Sequence, residues 1–413
     1  MTGKKKFLLI LVLGMITAIG PFSIDMYLPA FTNIAADLHT TVAHVSLSLS
    51  SFFIGISIGQ FIYGPLLDRF GRKKPLYAGL CLYLVASALC AMASSADSLI
   101  ALRFLQALGG CAGMVASRAM VRDLFDVADN AKVFSMLMLV VGVSPIIAPT
   151  LGGYITASLG WHYVFVLLTI MAVVIILAVH FILPESRQPD ASYSLKPAAI
   201  VNRFLMVLKE PQFYTYAFTG AIAAAGLYAY IAGSPSVFME IYKVSEKQYG
   251  WIFALIAAGL IVSSQINTLL LRKFKSEQII QVALLCQSIT GITLFLASAN
   301  GFIGLAGTII LAMIFLSCQG FTFPNSSALS MAPFSKNAGS ASALMGAIQM
   351  GIGAFTSAVV SFLSNNTAMP MTGIMAACAI ISFLTVMIGG KIIRYKATLK
   401  AVEEETVDMI GNT

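Results

Sequence analysis

Apolar residues in this chain come in long unbroken runs rather than in the period-2 or period-3.6 stripes of a half-buried element. Twelve runs reach the roughly 20 mostly apolar residues that a membrane-spanning helix needs. They cover 7–30, 44–65, 75–95, 98–119, 132–157, 161–183, 212–238, 248–271, 277–299, 301–324, 338–363 and 369–392. The longest polar break, 184–211, contains Pro184, Pro189, Pro197 and Pro211 and divides the runs six and six. The pattern predicts an all-α membrane protein with twelve transmembrane helices in two six-helix halves. Its expected parts are a first half over 1–184, a linker over 185–211, a second half over 212–400 and a tail over 401–413. The tail carries Glu403-Glu404-Glu405 and is expected to be disordered. The opening Lys4-Lys5-Lys6 followed by apolar residues has the look of a leader peptide. Its apolar stretch runs on to Ala30 without a small-residue cleavage site, so it is read as a retained first span.

Composition agrees. Only 10% of residues are charged, against about a quarter in a soluble domain. The net charge of +8 does not gather on one helix or face. Of the 25 basic residues, all but Lys243, Lys247 and Arg103 fall in alternate breaks, on the side of the N-terminus. That asymmetry predicts a multi-pass membrane protein with both termini cytoplasmic and an even number of spans. It is a topology signal, not a nucleic-acid footprint, so no nucleic-acid partner is expected. The six cysteines lie inside apolar runs without a C-x-x-C pair and read as small hydrophobes. His39, His44, His162 and His180 do not form a ligand set, so neither a metal nor a cofactor is expected. No P-loop, H-E-x-x-H or G-x-S-x-G arrangement is present, which argues against ATP use and against an enzyme.

Two charges stand out. Asp25 is the one acid well inside an apolar run. A carboxylate in hydrocarbon costs several kcal/mol unless it is protonated, paired or facing water, so an intramembrane acid is read first as functional. Here the reading is proton coupling. Pro29 lacks the N–H that would bond to the carbonyl of Asp25, and Pro21 does the same to Thr17, so the first helix should loosen around its charge. Arg103 is the only basic residue in the interior of a predicted span. Each charge lies about five residues from the outer end of its run, hence at similar depth at about 1.5 Å per residue. They could pair directly or through water. Gln106 shares the helical face of Arg103, suggesting a polar stripe.

Three further motifs carry a resemblance. Gly64-Pro65-Leu66-Leu67-Asp68-Arg69-Phe70-Gly71-Arg72-Lys73-Lys74, between the second and third runs, resembles the major facilitator superfamily signature G-x-x-x-D-R-x-G-R-K-x. Leu102 to Gly110, with Arg103, resembles that family's fourth-helix motif, and Gly142 to Gly153 its antiporter motif of helix five. Ala148 stands where the last motif usually has glycine. Ile24 to Ala30, with Gly339 to Gly346 and Gln349, is similar to the bicyclomycin-resistance and chloramphenicol-efflux branch.

The resemblance implies a conformational latch at Gly64, Asp68, Arg69, Gly71 and Arg72. Asp68 would face a helix N-terminus of the second half, and Arg72 would pair with Asp123. It implies a stripe at Gly142, Pro145, Pro149, Gly152 and Gly153 that bends and packs helix five. It also implies alternating access by a monomer in a bacterial inner membrane, export of small drug-like molecules, and exchange for protons across the lipid bilayer. Tyr27, Gln106, Tyr228, Tyr230, Gln319, Phe323 and Gln349 are the candidate substrate contacts, since aromatics and amides suit a permissive pocket. The alternative is a proton-coupled importer of a small nutrient on the same fold. A membrane enzyme would need clustered titratable groups at a membrane face, and a channel would not need a latch.

Overall fold

A computed structural model describes residues 3–190, 197–334 and 338–411. No strand occurs among them. The long helices are α1 (Gly3–Asp25), α2 (Val42–Phe70), α3 (Lys73–Cys90), α4 (Ala96–Leu124), α5 (Val127–Leu159) and α6 (His162–Phe181). After a linker helix, Pro197–Leu208, come α7 (Pro211–Pro235), α8 (Glu246–Leu270), α9 (Ser276–Ala299), α10 (Leu305–Met331), α11 (Ala338–Phe362) and α12 (Met369–Gly411). Eleven of these segments are long and apolar enough to cross a membrane among the described residues. The twelfth is α3. It opens on Lys73-Lys74, which lowers its hydropathy, yet it packs lengthwise along α4 and α6.

The two halves repeat one packing scheme. In the first, α1 packs on α4 and α5, α2 on α4, and α3 on α4 and α6. In the second, α7 packs on α10 and α11, α8 on α10, and α9 on α10 and α12. Each pair recurs six helices later. No sequence repeat betrays this, because packing against lipid or a neighbour constrains size and polarity more than identity. The halves meet along two seams, α2 on α11 and α5 on α8, which the same shift of six also interconverts.

Close backbone approach stands in for the hydrophobic drive that lipid removes. A Cβ on Gly55 would lie 2.6 Å from the carbonyl oxygen of Phe104, and one on Gly59 would lie 2.6 Å from Cβ of Cys111. These glycines let α2 lie directly on α4. Large apolar side chains face outward instead, with Phe355 71% and Phe362 76% exposed, as a lipid-facing surface requires.

Three boundaries differ from the hydropathy pattern. α1 ends at Asp25, a 3-10 turn follows at Leu28–Ala30, and a short helix, Phe31–Asp37, completes the span. α4 runs on to Leu124, so Arg118, which stands at the very end of its apolar run, lies well within the helix. α12 continues as helix to Gly411, so the tail expected to be disordered from 401 is helical over most of its length. Its glutamates are good helix formers, and a preceding helix spares them nucleation.

Topology is testable directly. Reporter fusions after Lys74, Arg203 and Lys336 are expected to report cytoplasm, and fusions near Asp97 and Lys243 the opposite compartment. One reversed signal breaks the twelve-span arrangement.

Candidate transport site

The break in α1 sets the site. Asp25 is its last residue, and the turn that follows packs against α5, α7 and α8. Pro29 fits this turn because its φ near −65° suits a tight turn and its missing N–H is not needed there. Gly152 holds the break from behind: a Cβ there would collide with the carbonyl oxygen of Met26. The Asp25 side chain is 4% exposed and has no hydrogen-bond or ion-pair partner among the described residues. The groups that feel its charge are the hydroxyls of Tyr228 and Tyr230 on α7 and Tyr249 on α8. An acid of the first half therefore lies near tyrosines of the second.

Arg103 faces elsewhere, so the direct pairing with Asp25 anticipated from equal depth does not occur. It is fully enclosed, with its guanidinium carbon 4.2 Å from the ring centre of Tyr27 and 4.1 Å from that of Phe52. One terminal nitrogen donates to the Ser23 carbonyl at 2.8 Å and the other to Gln106 Oε1. Gln106 Nε2 donates in turn to Ser87 Oγ at 2.7 Å, and Ser23 Oγ meets the Tyr83 hydroxyl at 2.6 Å. Tyr27 closes the ring through Ser48 on α2, at 3.1 Å. Four helices of the first half are tied through one cation. Residues 23 and 25 point about 200° apart on a helix at roughly 100° per residue, which is why Ser23 faces this network and Asp25 does not. Tyr27 and Gln106 are 0% exposed here, so both are partners of Arg103 rather than wall of an open cleft.

Other sequence-derived positions lie on the second-half side of the α2–α11 seam. Tyr228 packs on Phe53 of α2, with ring centres 4.7 Å apart, and its hydroxyl receives Gln349 Nε2 at 3.3 Å. Phe323 and Gln349 border a narrow pocket with Tyr216, Ser326 and Met345. Gln319 is 3% exposed and neither atom of its amide has a partner; Tyr230 is 1% exposed and its hydroxyl has none either. Buried unpaired amides and hydroxyls are costly and call for an explanation. Arg118, missed in the sequence, is a second cation of α4 and is half-buried without a hydrogen-bond or ion-pair partner among the described residues. The signal that could have found it is the i, i+4 stripe Met114–Arg118 continuing α4 past the hydropathy limit.

The loop signature forms a charged knot. Gly71, at φ 81°, takes a backbone that favours glycine, and a Cβ there would crowd the Arg187 carbonyl at 3.0 Å. Arg72 Nε donates to Asp123 Oδ2 at 2.7 Å, and Arg72 also donates to Asp68 at 3.0 Å. Burial alone would weaken its charge, but the hydrogen bonds it donates to Asp123 and Asp68 outweigh that and hold it more firmly protonated. Glu185 caps α3 by accepting from the backbone N–H of Arg72 and Lys73, at 2.7 and 3.0 Å. Arg69 contributes its carbonyl, which receives Asp190 N–H at 3.1 Å. Gly64, by contrast, has open space where a Cβ would go.

Asp68 pairs with Arg72 and with Arg187 of the linker, at 3.0 and 3.1 Å. Both lie on the first-half side, so the expected contact with a helix N-terminus of the second half is not among the described ones. Residues 335–337, which precede α11, lie outside the described residues. The helix-five stripe does reach the second half. A Cβ on Gly153 would lie 2.5 Å from the Glu246 carbonyl, and one on Gly250 would lie 2.8 Å from the Pro149 carbonyl. Pro145 and Pro149 lie inside α5, while Gly142 stands nearly clear of α8, 3.9 Å from Ile261. Removing Arg72 leaves Asp68 with Arg187 alone and takes from Asp123 its cation, at about 1–3 kcal/mol for the half-buried carboxylate left without an ion pair. Arg72→Ala is expected to slow transport severalfold while substrate affinity stays near wild type, read as uptake rate against equilibrium binding.

A multi-pass helical membrane protein with two pseudo-equivalent halves and a buried acid at a broken helix has the architecture of a transporter. Residues 13–358 match the Major Facilitator Superfamily, and the chain belongs to that family. It is 31% identical to a bicyclomycin resistance protein homolog of Haemophilus influenzae, over 92% of this chain and 96% of that one. It is also 31% identical to the multidrug resistance protein MdtL of Escherichia coli, over 89% of this chain and 92% of the relative. Its fold resembles a bacterial homologue of the human lysosomal transporter Spinster, solved inward-facing and occupied, with a TM-score of 0.72. That likeness covers 95% of this chain and 98% of the other at 14% identity.

Proposed function

We propose that this protein exports small amphipathic organic molecules across a bacterial inner membrane in exchange for protons, with both termini cytoplasmic. The observation that carries the proposal is Asp25: a buried acid at the break of α1, without a hydrogen-bond or ion-pair partner among the described residues and near tyrosines of the other half. A carboxyl held by no partner takes up or releases its proton as rocking of the halves changes the water around it. Tyr228, Gln319, Phe323 and Gln349 offer a substrate amides, hydroxyls and aromatic faces at or near the seam. Arg103, Tyr27 and Gln106 position the break. The knot around Arg72 and the α5 stripe bias which face is open. The drug-resistance names of the relatives support export and an antibiotic-like substrate class, bicyclomycin- or chloramphenicol-type compounds included.

The test is a drug-susceptibility panel on cells overexpressing the chain, with Asp25→Asn as control, followed by transport in oriented vesicles. Raised resistance to at least one amphipathic compound, lost in the control, is expected. Substrate moving inward with protons would instead establish import on this fold.

A further inference from the structure

A cavity of about 500 Å³ opens on the face opposite the basic loops, far from the knot around Arg72. Both halves build it. The first half supplies the short helix Phe31–Asp37 and the start of α2, and the second supplies Glu240 and residues 364–366. Its size falls in the range of small-molecule sites, about 300–1,000 Å³.

Glu240 gives the cavity its chemistry. It lies in a π-helical turn, Ser236–Ile241, that continues α7, and such turns recur at functional sites. The turn is anchored by Tyr242, whose hydroxyl meets Thr308 Oγ1 at 2.8 Å. Ser236 Oγ donates to Glu240 Oε2 at 2.5 Å, which fixes the carboxylate and leaves Oε1 without a partner among the described residues. Among the described residues no cation forms an ion pair with it. The nearest basic residue in sequence, Lys243, forms no ion pair, while His44 and His162 are taken by Asp97 and Asp37. The same cavity is lined by Thr40, Ser364 and Asn365, with Ala36 and Ala43 as apolar wall.

One fixed, unanswered carboxylate excludes an anionic ligand. A divalent metal is a poor match, because it wants six to eight oxygens at close range and usually several carboxylates. The mixture of one negative charge, hydroxyl and amide groups and methyl-lined wall suits an ammonium carrying short alkyl groups. We propose that this outer cavity is a binding site for small organic ammonium compounds, with Glu240 as the charge that recognises them. The site does not depend on the role assigned to Asp25, and it lies on the seam that any alternating-access motion must open.

The probe is choline, set against its neutral isostere 3,3-dimethyl-1-butanol and against Mg²⁺. Ser364→Cys in a background whose six native cysteines are replaced places one thiol on the cavity rim. Its labelling by a membrane-impermeant maleimide is timed with each compound outside. Only empty sites react, so choline at about ten times its dissociation constant should slow labelling about tenfold. Glu240→Gln should remove that protection without changing the rate in its absence. A second measurement keeps every native cysteine: choline should raise the melting temperature of the detergent-solubilised protein but not that of Glu240→Gln. Protection by the butanol equal to that by choline, protection by Mg²⁺, or protection and thermal shift unchanged in Glu240→Gln would each overturn the assignment.

Discussion

Asp25→Asn protein is expected to bind substrate with near wild-type affinity and to lose proton-driven transport altogether. Asparagine keeps the shape of the side chain, and the site provides no hydrogen bond or ion pair that the substitution would break. What disappears is a group that can carry a proton. Antiport requires that substrate and proton disfavour each other, and linkage makes the penalty mutual. A coupling free energy of about 1–3 kcal/mol corresponds to a 5–150-fold change in substrate affinity between protonated and ionised Asp25. In wild type the affinity should therefore fall as pH is lowered through the titration of Asp25. In Asp25→Asn it should be flat over the same range. Equilibrium binding in detergent across pH, paired with uptake into proteoliposomes under an imposed pH gradient, measures both halves of the claim. A pH profile that survives the substitution would move the proton to another group.

Much of this architecture is legible in the sequence because lipid imposes it. Run length, the six-and-six division and the Asp-Arg-x-Gly-Arg order each answer a single physical demand, and the helices follow. Asp25 and Pro29 together announced a loosened helix, and α1 stops at Asp25. The relation of Asp25 to Arg103 was not legible. Rise per residue gives depth, but which way a side chain points depends on where a broken helix stops and on what packs behind it. Gly152 and Met26, 126 positions apart in sequence, decide that. Arg118 and Glu240 escaped for a common reason: charges at the ends of apolar runs look like loop residues until the true helix ends are known. The repeated packing of the halves also left no trace in identity, since small residues of several kinds allow the same close approach.

The same geometry makes Arg103→Ala the most damaging single substitution expected, and for a reason other than charge pairing with Asp25. The side chain is 0% exposed and fills the space between Tyr27, Phe52 and the backbone of α1. Deleting it leaves a void and removes the donors that satisfy the Ser23 carbonyl and Gln106. Breaking a buried charged network in this way typically costs about 3–5 kcal/mol. Thermal inactivation of the purified protein should come at markedly lower temperature, and transport should fall with it because the break that orients Asp25 loses its support. Lys in its place keeps the charge but not the flat face between two rings or the two-way donation, so Arg103→Lys should fall between alanine and wild type. A lever that held Asp25 ionised would give another pattern: its removal would shift the midpoint of the pH profile and leave thermal stability largely alone. Because Arg103 touches Ser23 and not Asp25, that midpoint is expected to stay in place in Arg103→Lys. A shifted midpoint at wild-type stability would restore the pairing that equal depth suggested.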